Sequence, residues 1–255
     1  VLFPAWCWIK DPSLQIISAS YEGELATDFA QDTRKKVIAS ERYQTLFGNI
    51  YQMRRDADAK RSYKNTKGGW RKAIGTKGHI TGKHSHLFII DDPMNPRSAN
   101  SQAERESVNK WLNDTVPSRK TGDASVFIVV MQRLHEDDST EQFLQTFKSV
   151  RHICLPAMLS DNVTPEYRNK YINGYLDPIR LGEDACNNLK GKAAWAGQYM
   201  QAPAPDGGNI INPDWFFEFD YLAVLNEVKA ANETIQIAFC IDGAYTAKTT
   251  NDPSV

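Results

Sequence analysis

At 255 residues, with 41% hydrophobic and 24% charged side chains and a net charge of −1, the chain can bury the core of one large domain, or of one domain plus part of another. That composition excludes a disordered chain. No run approaches the ~20 consecutive apolar residues of a membrane helix, and the opening VLFPAWCWIKDP lacks the basic flank and cleavage site of a secretory signal, so the expectation is a soluble intracellular protein without a membrane partner.

The chain opens without Met inside an aromatic-rich segment and closes at TTNDPSV, and it therefore reads as a piece of a longer protein. The cysteines Cys7, Cys154, Cys186 and Cys240 are scattered without a C-x-x-C spacing, which points to packed thiols rather than to a metal site or disulfides. LQIISAS (Leu14 to Ser20) predicts a short strand, and Leu25, Phe29 and Val37 behind it recur at helical spacing. From Arg54 to Lys83, ten basic residues stand against Asp56 and Asp58 and are punctuated by glycines. This is either a phosphate-facing surface or a solvated lysine-rich hairpin.

HLFIIDD is the continuous apolar run of a parallel strand covered on both faces. SQAE at Ser101 to Glu104 fits a capping box, and Val108, Trp111 and Leu112 give the following helix an apolar side. ASVFIVVMQR (Ala124 to Arg133) predicts a second fully buried strand, with Phe143, Leu144 and Phe147 on one side of the helix after it. VRHICLPAM predicts a third core strand, and Trp111 and Trp195 read as core aromatics. His84, His86, His135 and His152 do not form a metal-ligand set. Alternating strands and helices imply an α/β domain with a mainly parallel sheet. After about Tyr199 the composition turns to proline and glycine, and TIQIAFCIDGAYTAK then alternates like a new strand ending in Asp242.

Ligands collect at the carboxyl ends of parallel strands. LFIIDD delivers Asp91 and Asp92 to that edge, and FIVVMQR delivers Gln132 and Arg133. Four apolar residues followed by an acidic pair is the Walker B pattern, in which one carboxylate serves Mg²⁺ and the next orients the attacking water.

Together with FPAW, IISASYEGELA, TGKHSHLFIIDDPMNPRSANS, VNKWLNDTVPSRK, VVMQRLHEDD, WAGQYMQAPAPDGGNII and IDGAYTAKTTNDPSV, spread over almost the whole chain, this pattern resembles the large subunit of tailed-phage terminases. The resemblance implies a RecA-like ATPase of the additional-strand P-loop type over 1–198, a linker over 199–232, and the start of an RNase H-like nuclease domain over 233–255. It implies ATP with Mg²⁺ at Asp91, a water-orienting Asp92, nucleotide coupling through Gln132 and Arg133, and a nuclease Mg²⁺ or Mn²⁺ at Asp242. Asp252 is either near the nuclease site or a turn residue. Lys83 or Arg71 would be a cation acting on a neighbouring subunit's nucleotide, or an ordinary surface cation. The implied partners are double-stranded DNA, the portal protein, the small terminase subunit and further copies in a ring, in the cytoplasm of an infected bacterium.

The departures are specific. The family's water-orienting residue is commonly Glu, one methylene longer than Asp92. No G-x-x-x-x-G-K-[ST] phosphate loop occurs, since GTKGHITGKHS has its glycines and Lys83 at other spacings. The expectation is that the loop lies upstream of Val1 and further nuclease acids beyond Val255, so that these 255 residues alone are inactive. Another P-loop motor such as a helicase, or a non-catalytic interaction module, is the alternative.

Overall fold

A computed structural model describes residues 1–203, apart from His79, Thr81 and Ala193, together with residues 221–231. The chain divides into two compact units, Val1–Pro203 and Ala204–Val255.

In the first unit, helix α1 (Leu2–Lys10) leads into strand β1 (Gln15–Ser20) and helix α2 (Gly23–Asp32), which runs on as a π-helical turn over Thr33–Ile38 before helix α3 (Glu41–Phe47). Strands β2 (Met53–Ala59), β3 (Ser62–Asn65) and β4 (Trp70–Gly75) follow, then β5 (Leu87–Asp91), helix α4 (Gln102–Lys110), β6 (Val126–Val130), helix α5 (Ser139–Thr146) and helix α6 (Glu183–Leu189). They build one six-stranded sheet in the order β2-β3-β4-β1-β5-β6. Strands β4, β1, β5 and β6 are parallel, whereas β2, β3 and β4 form an antiparallel ribbon at one side. The α/β architecture with a mainly parallel sheet is therefore as the sequence implied.

Period-two alternation divides the core between the two faces of the sheet. Ile17, Ala19, Phe88 and Ile90 pack with Val108, Trp111 and Leu112 of the α4 side. Ile16, Ala73 and Leu87 pack on the other face with Ala5 and Trp8 of α1, Ala26 and Ala30 of α2, and Tyr43 of α3. Burying Ile16 and Ile17 completely contributes about 2–3 kcal/mol each, and Ile17→Ala would forfeit about 2–5 kcal/mol through the cavity left at the centre of the sheet. Two glycines bring α2 against the end of β4, because a Cβ on Gly23 would stand 3.1 Å from the Gly75 nitrogen.

Several expectations are corrected. Strand β6 is not fully buried, with Val126 52% and Val130 55% exposed, and among the described residues it stands at the edge of the sheet. VRHICLPAM forms no strand, because its backbone bonds to loops instead of a ladder: Cys154 exchanges bonds with Thr164, and Ala157 donates to the Tyr199 carbonyl. Ser101 is the N-cap of α4 but makes no side-chain cap bond, and the Glu104 side chain pairs with Lys77 at 2.7 Å instead of reaching back to the cap. Trp111 is a core residue, whereas Trp195 is half-buried and stacks on Tyr199.

In the second unit, helix α7 (Tyr221–Ala230) occupies part of the stretch read as linker. The predicted strand ending in Asp242, and Asp252, lie outside the described residues. No described helix is long and apolar enough to cross a membrane.

Candidate functional site

The carboxyl edge of the parallel strands gathers Ser20 from β1, Gly75 from β4, Asp91 from β5 and Val130 from β6. The β1–β5 register runs from Ile16 beside Leu87 to Ala19 beside Ile90, and Ser20 and Asp91 follow as the last residues of the two strands. Both continue the parity of Ile16 and Leu87, and they therefore share the sheet face that α1 and α2 cover.

One residue further on, Asp92 ties three strand ends together. Its N–H donates to the Val130 carbonyl at 2.8 Å, its carbonyl accepts from the Tyr21 N–H at 3.0 Å, and its carboxylate accepts from the Gln132 N–H. These bonds hold Asp92 at φ +44°, in the left-handed region where a non-glycine residue costs about 1–2 kcal/mol. Aspartate is among the few residues that tolerate this conformation. Sequence reasoning placed the two acids at the strand tip but gave no sign of this backbone turn, which takes Asp92 out of simple alternation.

Asp91 is half-buried, and among the described residues its carboxylate makes no hydrogen bond or ion pair. Burial raises its pKa above the ordinary carboxylate value, while the Val1 amino group opposes the rise. Asp92 is shifted the same way, by desolvation first and then by the negative charge of Asp91, with the Gln132 N–H opposing. Two adjacent acids raised together mark an edge that favours a cation.

Ser20 went unremarked in the sequence. It is 0% exposed, and its Oγ has no hydrogen-bond partner among the described residues. An unsatisfied buried hydroxyl costs about 1–3 kcal/mol, and such groups are uncommon enough to call for an explanation. The available signal was that IISAS, like LFIIDD, is a run toward the ligand edge with a polar last residue.

The other candidates separate from this edge. Gln132 is exposed and contributes its backbone N–H. The Arg133 guanidinium is committed to the start of α5: Nε donates to both carboxylate oxygens of Asp138, at 3.1 and 2.9 Å, and Nη2 stands 3.5 Å from Glu141. Lys83 precedes β5, so it lies at the opposite, amino edge, with Nζ 5.4 Å from the centre of the Trp70 ring at the start of β4. The five residues of β5 alone put about 13–16 Å between that edge and Asp91. Arg71 is internal, 3% exposed, donating to Ser18 Oγ at 3.0 Å and Thr33 Oγ1 at 2.6 Å. A cavity of about 820 Å³ opens beside α5, lined by Arg133, Glu141, His152, Cys154, Asp161 and Arg168 among others, and it includes neither Asp91 nor Asp92. The chemistry of the strand tips, not the larger cavity, identifies the candidate site.

Among the described residues no three His, Cys, Asp or Glu side chains cluster closely enough to cage a metal ion. Mg²⁺ needs no such cage: it takes one or two carboxylates and completes its octahedron with waters and phosphate oxygens. Asp91, half-buried and without an ion pair or hydrogen bond among the described residues, fits that requirement.

The basic stretch also resolves into parts. Arg54 pairs with Asp56, Lys77 with Glu104, and Asp58 is taken by Arg34. Arg55, Lys60, Arg61, Lys64 and Lys67, on and around the β2–β3 ribbon, are exposed and make no ion pair among the described residues.

No protein-family model matches the chain, and no curated protein matches it at a significant level.

Proposed function

We propose that the chain is part of a viral DNA-packaging motor of the terminase large-subunit kind, and that its first unit belongs to a RecA-like ATPase. The observation that carries the reading is the unpaired, raised Asp91 at the ligand edge of a parallel sheet, followed by an Asp92 whose carboxylate is bonded to the next strand's exit. The sheet order supports it, since among the described residues β6 is the terminal strand, next to β5, and a further strand beyond it would be of the kind that brings a phosphate loop toward Asp91.

In this reading Asp91 holds a hydrated Mg²⁺, which when bound neutralises charge on the phosphates of ATP. Asp92 orients the attacking water, and its fixed backbone compensates in rigidity for its shorter reach. Because Asp92 also bonds the Gln132 N–H, any shift of its carboxylate is felt at the exit of β6, which gives a route from nucleotide state to movement. That role falls to the Gln132 backbone, because the Arg133 side chain is engaged by Asp138. The resemblance extends the proposal to double-stranded DNA, portal, small subunit and ring partners in an infected bacterial cell, and to metal-dependent cleavage of concatemeric DNA at Asp242.

The test is a separation of activities in a complete protein that carries a phosphate loop. Asp91→Asn should abolish DNA-stimulated ATP hydrolysis and spare metal-dependent nicking, and Asp242→Asn should do the reverse. Loss of both activities in both variants would refute the two-site assignment.

A further inference from the structure

Ser20 and Asp91 are the last residues of adjacent parallel strands, each following the final paired step Ala19–Ile90, and by alternation they lie on the same face of the sheet. Each is unsatisfied in a different sense: the Ser20 hydroxyl is wholly buried without a partner, and the Asp91 carboxylate has neither a hydrogen bond nor an ion pair among the described residues. The backbone around Ser20 leaves it no freedom to move away. Its carbonyl accepts the Thr76 N–H at 2.7 Å, and the next residue, Tyr21, is bonded to Asp92. Only rotation about χ1 remains, which sweeps the hydroxyl past the tip of β5.

A hydroxyl that both donates and accepts, beside a carboxylate that only accepts, is the complement of a hydrated divalent cation. The carboxylate takes the ion or one of its waters, and the hydroxyl accepts a hydrogen bond from a second water. Second-shell bonds of this kind orient the ligands of a metal and tune its affinity. We infer that Ser20 is a positioning residue for the cation held at Asp91, and that its hydroxyl is kept unsatisfied in the empty fold because its partner is a water that arrives with the ion. This rests on the reading of Asp91 as a cation ligand.

Ser18, two residues back on the same strand and face, supplies the control. Its hydroxyl is buried too, but it is satisfied by Arg71 at 3.0 Å. Mn²⁺ affinity of the 255-residue chain, read by water-proton relaxation with Mg²⁺ as competitor, is measured beside thermal melts for Ser20→Ala, Ser18→Ala and Asp91→Asn. Asp91→Asn should weaken Mn²⁺ by tenfold or more. Ser20→Ala should weaken it about fivefold, the effect of one hydrogen bond, with a melting temperature unchanged or higher because an unsatisfied hydroxyl has been removed. Ser18→Ala should lower the melting temperature and leave Mn²⁺ affinity alone.

If Asp91→Asn weakens Mn²⁺ while Ser20→Ala stays within twofold of the parent, the Ser20 inference fails and the Asp91 reading stands. A Ser20→Ala protein that melts lower, as Ser18→Ala does, with its affinity intact, makes Ser20 structural and likewise overturns the inference. Saturable Mn²⁺ binding that Asp91→Asn does not touch, or no saturable binding at all, overturns both.

Discussion

Asp138→Ala puts the structural account of the β6 exit to its hardest test. Asp138 is 0% exposed and is the N-cap of α5, accepting the backbone N–H groups of Thr140 and Glu141 at 3.0 and 3.2 Å, while its other oxygen accepts the Leu134 N–H at 2.9 Å. Both oxygens also receive Arg133 Nε. Losing an N-cap costs about 1 kcal/mol. Leaving the guanidinium without its buried partner costs about 3–5 kcal/mol in a dry site. Arg133 retains 14% side-chain exposure and a second acid in Glu141, so the lower part of that range applies.

The total is about 3–4 kcal/mol, which for a unit of this size lowers the melting temperature by roughly 10 °C. The assay is urea unfolding of Asp138→Ala, Arg133→Met and the double variant, followed by circular dichroism. If the pair is one unit, the double variant should be no less stable than Asp138→Ala alone, with a coupling energy of about 2 kcal/mol. Additive losses, or a fall of less than about 1 kcal/mol for Asp138→Ala, would refute the assignment of Arg133 as an anchor of the β6 exit.

Three further outcomes follow from the same geometry. Arg71→Lys keeps the charge but loses the fork that reaches Ser18 and Thr33 together, and should cost about 2–3 kcal/mol in urea with the m-value unchanged; a loss under about 0.5 kcal/mol would contradict it. Burial holds the Asp91 and Asp92 carboxyls above their ordinary 3.8, so the folded state keeps protons that the unfolded state has released, and stability should fall as pH rises from 3.8 through the raised values. Asp91→Asn should therefore melt higher than the parent at pH ~7 and flatten that decline; a lower melting temperature at neutral pH would contradict the sign. If the β2–β3 ribbon meets duplex DNA, replacing Lys64 and Lys67 by Ala should reduce the slope of log affinity against log salt by about 2, whereas an unchanged slope would leave the ribbon as solvated surface.

Parts of this architecture were legible because the determining forces are local. Strand β5 announces itself in LFIID, an unbroken apolar run of the kind that a parallel strand covered on both faces uses, and its carboxyl end follows from chain direction. The capping box read at Ser101 to Glu104 marks the start of α4 correctly but not its bonds, since Ser101 makes no side-chain cap bond and Glu104 pairs with Lys77 from a distant loop. The apolar runs VFIVV and VRHICLPAM were over-read for one shared reason. Composition reports how much apolar surface a segment has, not whether a neighbour exists to cover it or pair with it, and among the described residues β6 has a partner on one side only.

What stayed hidden at the candidate site is tertiary by nature: a hydroxyl without a partner among the described residues, an aspartate turned left-handed by bonds to two other strands, and two carboxyls whose pKa burial raises. Each of these costs stability, and all of them fall at the tips of β1 and β5. A chain selected for stability alone would have removed them separately and easily, with Ala at position 20, Gly at 92 or Asn at 91. Ser85, Trp111 and Ser160 also carry buried polar atoms without a partner among the described residues, and Lys77, Asn173 and Gln201 are also left-handed, but only at the tips of β1 and β5 do such features meet two adjacent carboxylates with raised pKa, which is the pattern of a site strained in favour of something it binds. Binding of a cation should then recover stability as well as support chemistry, so Mg²⁺ should raise the melting temperature of the parent chain and leave that of Asp91→Asn where it was.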